Sequence, residues 1–304
     1  MRTRTPARGI LNLGLRERET VGSRSLLVFD SDPAIHQYLN QLLQRPGRSI
    51  QDAYDRREAV ACLRHTPCDL ILAGQGPNGG IDGLKLLRRV RSLQPEARVI
   101  LTGDRDPARV VGAIRERAFS YIHQPMAEGP VADMVQQALE ARSWRDDIRV
   151  VSARPEWITL DVRSKLDAAD RTTHFIREML ADLPLVFRED VAAAFRELLM
   201  NGIEHGARSD PSKRVRASLL RTSRAVMVYV SDPGKGFNLD LLPHAAISNP
   251  ENSPIRHVEV RAEQGQRPGG FGILMARNMA DELLYNERGN AALFVKYFDT
   301  PGAR

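Results

Sequence analysis

The sequence predicts two successive domains, a doubly wound α/β domain followed by an α+β sandwich. The chain has 304 residues, which is enough for two domains of ordinary size. Over residues 24–143, short apolar segments alternate with segments of helical periodicity, which is typical of a parallel sheet covered by helices on both faces. After residue 156 this alternation ends, and two consecutive helices precede two strands joined by a short turn, a pattern that favours an α+β arrangement.

The N-terminal domain is predicted over residues 24–143, after a polar segment, 1–23, that we expect to be a disordered tail. Its strands are short apolar segments, and its helices have apolar residues at intervals of three and four. The predicted strands are 26–29, 49–53, 70–73, 99–101 and 120–122, and the predicted helices are 33–44, 56–64, 84–93, 107–117 and 131–143. This alternation indicates a doubly wound parallel sheet.

The C-terminal domain is predicted over residues 157–300, after a charged segment, 144–156, that we interpret as a linker because a proline lies near its end. The predicted elements are a strand at 157–162, helices at 168–180 and 188–204, strands at 215–221 and 225–230, an irregular segment at 238–268, a helix at 270–283 and a strand at 292–298. The hairpin and the grouped helices indicate an α+β sandwich.

Composition excludes several classes of protein. Hydrophobic residues make up 42% of the chain and charged residues 27%, as in ordinary globular proteins. No apolar segment approaches the roughly 20 residues of a membrane-spanning helix, and no apolar segment of a secretion signal follows the basic N-terminal residues. Two cysteines, Cys62 and Cys68, are too few for a disulfide framework, so we expect a cytoplasmic protein. The net charge of +6 comes from scattered arginines and does not favour a nucleic-acid partner.

Three polar residues at intervals of four, Glu197, Asn201 and His205, lie on the second predicted helix of the C-terminal domain. This spacing places them on one helix face, and the opposite face is predicted to contact the core through Val191, Ala194, Phe195, Leu198 and Ile203. An amide and a carboxylate one turn apart suit a hydrated Mg²⁺, and a carboxylate can accept a proton from an attacking hydroxyl group. Taken alone, the three residues also fit an ordinary solvated helix face.

Two glycine-containing segments follow along the chain. Asp232 comes directly after a predicted strand, where it can accept a hydrogen bond from an exocyclic amine, and Gly234 and Gly236 permit close approach of the backbone. Gly270 and Gly272 open the last predicted helix, where unpaired backbone N–H groups favour a phosphate. Alone, neither segment distinguishes a nucleotide site from an ordinary glycine turn.

In this order, the three patterns resemble the N, G1 and G2 boxes of the Bergerat-fold ATPases, which include gyrase, mismatch-repair ATPases and histidine kinases. The resemblance extends over residues 157–298 and is greatest to the bacterial anti-sigma-factor serine kinases. Residues 196–206, RELLMNGIEHG, are similar to their N box, and residues 271–282, FGILMARNMADE, are similar to their G2 helix. The resemblance therefore implies an ATP-binding domain of the histidine-kinase-like type.

The resemblance also implies roles for single residues of the N and G1 boxes. Asn201 would be a ligand of Mg²⁺, Glu197 would be the base that activates a protein hydroxyl group, and Asp232 would bind the adenine of ATP. Gly202 stands where these families usually have alanine, which we expect to cost about 1 kcal/mol of helix stability without affecting the chemistry.

The glycines would shape the nucleotide site. By resemblance, Gly234 and Gly236 would form its floor, and Gly270 and Gly272 would contact the phosphates. The irregular segment 238–268 would form a lid over ATP, and it is longer than is usual in the anti-sigma kinases. This length leaves the identity of the partner protein open.

Residues 25–143 resemble a response-regulator receiver domain in the order of their elements and in short segments. Asp30 lies in a segment similar to the acidic loop after the first strand of such domains, and Thr102 occupies the position of their switch hydroxyl group. The resemblance implies a receiver fold for this domain.

Three departures from the receiver pattern affect its chemistry. Gly74 replaces the phosphorylatable aspartate, Ser31 replaces an acidic metal ligand, and Gln124 replaces the lysine before a proline. Without a carboxylate at position 74, the domain has no acceptor for a phosphoryl group. We therefore predict a pseudo-receiver that docks partner proteins or dimerises.

Three functions fit these patterns. The first is an ATP-dependent kinase that phosphorylates a serine or threonine of a partner protein and is regulated through the pseudo-receiver. The second is an atypical histidine kinase of a two-component system that uses His36, His65, His123 or His174, of which His174 is expected to be an exposed helix residue. The third is a non-catalytic module that releases its partner when ATP binds. The partner would be an anti-sigma antagonist, a sigma-factor-like protein or a response-regulator-like protein, and kinases of this kind are often homodimers.

Overall fold

A computed structural model of the chain describes residues 23–74, 82–236 and 272–298. The predicted tail up to residue 22, the predicted lid 238–268 and Gly270 lie outside these ranges. None of the helices in the described ranges is long and apolar enough to span a membrane.

The N-terminal domain is a five-stranded parallel sheet, as predicted, and its strand order is β2-β1-β3-β4-β5. Its elements are β1 (Arg24–Phe29), α1 (Pro33–Leu43), β2 (Arg48–Ala53), α2 (Arg56–His65), β3 (Leu70–Gly74), α3 (Gly83–Leu93), β4 (Arg98–Gly103), α4 (Pro107–Arg115), β5 (Ser120–His123) and α5 (Glu128–Glu140). The central strand β3 is buried throughout, because helices cover both faces of a parallel sheet.

Aspartates fix the start of four helices in this domain. Asp32, Asp55, Asp82 and Asp106 are the N-cap residues of α1 to α4, and each side chain accepts a hydrogen bond from a backbone N–H group of the first helical turn. Such caps satisfy donors that have no partner within the helix.

The C-terminal domain is a six-stranded antiparallel sheet with strand order β10-β11-β9-β8-β7-β6. Its elements are β6 (Ile148–Arg154), β7 (Trp157–Arg163), α6 (Leu166–Met179), α7 (Leu185–Asn201), a π-helical turn (Gly202–Gly206), β8 (Arg214–Arg221), β9 (Ala225–Ser231), α8 (Gly272–Met279), β10 (Glu282–Tyr285) and β11 (Ala291–Tyr297). The helices pack together with one face of the sheet in a single core, which confirms the α+β arrangement.

The sequence interpretation missed two edge strands. The segment predicted as a linker contains β6, whose Ile148 and Val150 pack against the core while Arg149 and Val151 are exposed. The last predicted helix ends at Met279 rather than at residue 283, and β10 follows it. The backbone N–H group of Asp281 donates to the carbonyl of Val295 at 3.0 Å, so the chain is already paired with β11 at this point.

Candidate nucleotide site

Helix α7 places Glu197 and Asn201 on one face, and both side chains are half-buried. The opposite face is buried in the core, as predicted. The Nδ2 atom of Asn201 is buried without a hydrogen-bond partner among the residues that the structure describes. Because an unpaired buried amide is costly, this atom favours the approach of an oxygen atom from a ligand. His205 shares the sequence spacing of these two residues but lies in the π-helical turn and is exposed.

The π-helical turn brings the end of α7 against β8 and the residue that follows β9. A Cβ atom on Gly202 would lie 2.9 Å from Val215 Cγ1 and 3.4 Å from Asp232 Cβ. A Cβ atom on Gly206 would overlap with the Asp232 carboxylate. The two glycines therefore permit a close approach that a side chain would prevent, and π-helical turns occur frequently at functional sites.

The carboxylate of Asp232 is half-buried directly after β9. Its Oδ1 atom accepts a hydrogen bond of 2.7 Å from the backbone N–H group of Gly234. Burial raises the pKa of Asp232, although that hydrogen bond and the charge of Arg288 act in the opposite direction. Within the described ranges no protein donor binds its Oδ2 atom, so the second oxygen can accept a hydrogen bond from a ligand.

The two glycines after Asp232 occupy positions where a side chain does not fit. Gly236 has φ of +78° and lies against the carbonyl of Arg288, so an L-residue would be strained and would overlap with that carbonyl. A Cβ atom on Gly234 would lie 2.7 Å from Asp232 Oδ1 and 2.8 Å from the Cα atom of Gly206. The backbone around Asp232 is therefore packed closely enough to form one wall of a cleft.

The start of α8 lies against the polar face of α7. A Cβ atom on Gly272 would overlap with Glu197 Oε2 and would lie 3.8 Å from Asn201 Nδ2. The structure thus brings Glu197, Asn201 and Gly272 together, and it brings Asp232 to the end of the same helix. An amide, a carboxylate and a glycine at a helix N-terminus are groups that suit a nucleotide phosphate with its hydrated metal ion.

In the N-terminal domain, Asp30 occupies the space that a side chain at position 74 would need. Its carboxylate is 5% exposed, and its Oδ1 atom accepts a hydrogen bond of 2.9 Å from the N–H group of Asp32. A Cβ atom on Gly74 would overlap with Asp30 Oδ2. Burial raises the pKa of Asp30, with a smaller contribution from the neighbouring Asp32 carboxylate.

The other receiver-like positions carry little acidic character. Ser31 is exposed, Thr102 is buried, and Gln124 Nε2 donates to Thr102 Oγ1 at 3.4 Å. A threonine bonded to a neutral amide has no charged group with which to hold a phosphoryl group. The side chains at these three positions are thus neutral.

One prediction about histidine is wrong. His174 is buried, and its Nε2 atom donates to the carbonyl of Tyr121 at 2.8 Å. The sequence interpretation also missed Arg171 and Glu178, which are buried on the same helix. Arg171, His174 and Glu178 are spaced by three and four residues, which predicts that they share one face of α6. A face of polar residues normally indicates exposure to solvent. Here that face contacts the N-terminal domain.

Two family models match successive parts of the chain. Residues 26–136 match the family model of the response regulator receiver domain, and residues 162–296 match that of the histidine kinase-like ATPase domain.

Curated relatives match part of the chain. The C4-dicarboxylate transport transcriptional regulatory protein DctD of Pseudomonas aeruginosa is 32% identical over 119 residues, which are 38% of this chain and 25% of that protein. The transcriptional regulatory protein AfsQ1 of Streptomyces coelicolor is 30% identical over 122 residues, which are 40% of this chain and 53% of that protein. The chain thus spans between about a quarter and a half of the length of these relatives.

Among solved structures, the signal receiver domain of an HD domain-containing protein from Pseudomonas fluorescens Pf-5 is 29% identical, with a TM-score of 0.36, and the match covers 39% of this chain and 88% of that chain. A receiver domain from Methanospirillum hungatei JF-1 is 23% identical, with a TM-score of 0.36, over 38% of this chain and 94% of that chain. From the family matches, the chain contains a response regulator receiver domain followed by a histidine kinase-like ATPase domain.

Proposed function

We propose that the chain is an ATP-dependent protein kinase of a signalling pathway, and that it phosphorylates a serine or threonine hydroxyl group of a partner protein. The observation that supports this proposal most is the contact between α8 and α7. Only the absence of a side chain at Gly272 allows the start of α8 to lie against Glu197 and Asn201. A helix N-terminus, an amide and a carboxylate then face one space, as phosphoryl transfer requires.

ATP would lie between the end of α7 and the backbone that follows β9. The Oδ2 atom of Asp232 would accept a hydrogen bond from the adenine amine, while Gly234 N–H keeps Oδ1 in place at 2.7 Å. Gly234 and Gly236 would form the floor, because neither position has room for a side chain. Gly272, together with Gly270 outside the described ranges, would contact the phosphates through backbone N–H groups.

Asn201 and Glu197 would act at the phosphate end. The amide oxygen of Asn201 would hold Mg²⁺, and its unpaired Nδ2 atom would donate to an oxygen of the phosphates or of a bound water. When bound, Mg²⁺ would neutralise part of the negative charge on the phosphate oxygens. The Glu197 carboxylate would take the proton of the partner's hydroxyl group as that oxygen bonds to the γ-phosphorus atom and ADP leaves.

The receiver domain would not accept a phosphoryl group. Gly74 offers no carboxylate, and the carboxylate of Asp30 fills the space beside it. We therefore propose that the receiver domain acts by contact, as a docking domain for the ATPase domain, a partner protein or a second copy of the chain.

Autophosphorylation on histidine is the second function that the sequence allows, and three of the four candidates are engaged in contacts. His174 is buried and bonded to Tyr121, while His36 is buried and contacts Asp52 at 2.6 Å through Nδ1. His123 contacts a buried glutamate at 2.8 Å. The fourth candidate, His65, is exposed at the end of α2. These contacts favour transfer to a partner's hydroxyl group over transfer to the chain's own histidines.

Two substitutions separate nucleotide binding from phosphoryl transfer. Glu197→Gln keeps the size of the side chain and removes the base, so we expect calorimetry to show MgATP affinity within about twofold of the wild type and radiolabel transfer to fall by about 100-fold or more. Asp232→Asn replaces the free acceptor by an amide, so we expect MgATP affinity to fall by about tenfold or more. The substrate for the transfer assay is the protein retained from a lysate in the presence of MgATP.

Asp161→Asn is the matched control, because Asp161 pairs with Arg216 at 2.8 Å on the sheet face opposite α7. Asp161→Asn is expected to change neither the MgATP affinity nor the transfer of radiolabel. Absence of MgATP binding by the wild type would contradict the nucleotide site. Full transfer by Glu197→Gln would contradict the role of the base, and signalling without transfer would favour the ATP-gated binding module.

A further inference from the structure

Helix α6 of the ATPase domain presents a buried polar row to the last strand of the receiver sheet. Arg171 Nε donates to the carbonyl of Phe119 at 3.2 Å, and His174 Nε2 donates to the carbonyl of Tyr121 at 2.8 Å. The backbone N–H group and ring Nδ1 of His123 both contact Glu178 Oε2, at 2.9 and 2.8 Å. Three side chains on one face of α6 thus contact positions 119, 121 and 123 in order.

This row is buried and packed. Arg171 and Glu178 are each 4% exposed, although both carry an ionisable group. The guanidinium of Arg171 lies 4.3 Å from the ring centroid of Phe119 and 5.2 Å from that of Trp144, and it donates to the Trp144 carbonyl at 3.1 Å. Burial lowers the pKa of Arg171 to about 10, so it stays charged at neutral pH. Separation of the domains would leave these groups without their partners, which is costly.

A second polar row on α6 contacts α7. Asp170 Oδ1 accepts a hydrogen bond of 3.0 Å from Arg196 Nε and forms an ion pair with Arg196 Nη2 at 2.9 Å. Arg177 pairs with Glu189 at 2.9 Å. Asp170 precedes Arg171 and Arg177 precedes Glu178, so the two rows lie side by side on adjacent faces of the helix. Arg196 in turn precedes Glu197 on α7. One helix therefore joins the receiver sheet to the helix that carries the proposed base and metal ligand.

We propose that the receiver domain is a permanent structural support for the nucleotide site, and that Glu178 and Arg196 are positioning residues that transmit this support through α6 to α7. The inference rests on the proposed nucleotide site. Glu178 fixes α6 against β5, and Arg196 fixes α7 against α6, so the direction of the Glu197 and Asn201 side chains depends on both contacts. Two of the three contacts are made to the backbone carbonyls of Phe119 and Tyr121, so they do not depend on the side chains at those positions.

The test is a double-mutant cycle on MgATP affinity in the full chain. Glu178→Gln removes the charge beside His123, and Arg196→Gln removes the ion pair with Asp170. We expect each substitution to weaken MgATP binding by about three- to tenfold. The double variant should bind MgATP with about the same affinity as the single variant of lower affinity, because both changes interrupt the same path. Thermal unfolding is recorded in parallel, so that affinity is compared only between folded samples.

Controls keep the outcomes distinct. Asp161→Asn removes an ion pair of similar length on the outer face of the sheet and should leave MgATP affinity unchanged. If Glu178→Gln does not fold, His123→Ala removes the ring contact with Glu178 Oε2 from the receiver side and leaves the backbone N–H contact in place. A wild-type protein that does not bind MgATP would overturn the nucleotide site itself. If the wild type binds MgATP and the folded single variants bind it with unchanged affinity, only the positioning role is overturned. The same holds if the losses of affinity of the two single variants multiply in the double variant.

Discussion

At position 74 the chain has a glycine, and the carboxylate of Asp30 from the neighbouring strand lies where a Cβ atom would be. Position 74 therefore lacks the carboxylate of an aspartate and also lacks the space for one, because Asp30 Oδ2 occupies that space. Burial already raises the pKa of Asp30, so a second carboxylate in this space would add both overlap and like charge.

We predict that Gly74→Asp does not restore a phosphorylation site and instead lowers the free energy of unfolding by about 1–3 kcal/mol, as overpacking of a buried site does. Urea unfolding measures the stability, and mass spectrometry after treatment with acetyl phosphate measures the modification. Gly129→Asp is the control, because nothing lies within 4 Å of a Cβ atom there. A Gly74→Asp variant of full stability that carries phosphate on position 74 would contradict the closed pocket.

Residue by residue, the sequence predicted the polar groups of the candidate site but not all of its glycines. Glu197, Asn201 and Asp232 belong to recognisable patterns, and the structure places them at one end of α7. Gly206 was not assigned a function, and its contact with Asp232 depends on how the chain returns along β8 and β9. Such a contact between distant segments is visible only in the folded molecule.

At the scale of elements, helix starts were the most predictable feature and sheet edges were the least. An aspartate before a helix is a local signal, and it caps α1 to α4. By contrast, β6 and β10 are short or half-exposed edge strands, and neither sequence alternates regularly between apolar and polar residues. Their strand conformation comes from pairing with β7 and β11, which is a tertiary contact.

At Gly202, which follows α7, close packing and helix propensity favour different residues. In an exposed helix, replacement of glycine by alanine stabilises by about 1 kcal/mol. At Gly202 the added methyl group would lie 2.9 Å from Val215 Cγ1 and 3.4 Å from Asp232 Cβ. We therefore predict that Gly202→Ala destabilises the protein by about 1 kcal/mol rather than stabilising it.

Thermal unfolding of Gly202→Ala in a Val215→Ala background tests whether contact with Val215 causes the loss of stability. Removal of the valine methyl groups opens the space, so the alanine should cost less there than in the wild-type background. Equal costs in the two backgrounds would show that Val215 does not oppose the substitution. A stabilising Gly202→Ala would show that the π-helical turn adjusts without strain.

At the scale of the whole molecule, the sequence predicted two folds but not how they fit together. Each domain has its own periodicity, and that periodicity is independent of its neighbour. The face of α6 that carries Arg171, His174 and Glu178 looks like a solvated face in the sequence, because charged residues at helical spacing are normally exposed. It is buried because the last strand of another sheet supplies its partners.

The burial of His174 makes the junction sensitive to acid. Burial lowers the pKa of His174 below its ordinary value of 6.5, although the nearby Glu178 acts in the opposite direction. In the unfolded chain this histidine takes up a proton as the pH falls through about 6.5, and the folded protein resists that proton. The free energy of unfolding should therefore fall between pH 7.5 and 5.5, by at most about 1.4 kcal/mol from this group.

Urea unfolding of His174→Gln at both pH values isolates this contribution, since glutamine keeps an N–H donor for the Tyr121 carbonyl and does not titrate. We expect a smaller loss of stability on acidification in His174→Gln than in the wild type. Burial raises the pKa of Asp30 and Asp232, and these groups act alike in both proteins. His65→Gln, the same substitution at an exposed position, is measured in parallel as the control. An unchanged slope in His174→Gln would mean that His174 accepts a proton within the folded junction, and that the contact between the domains adapts to it.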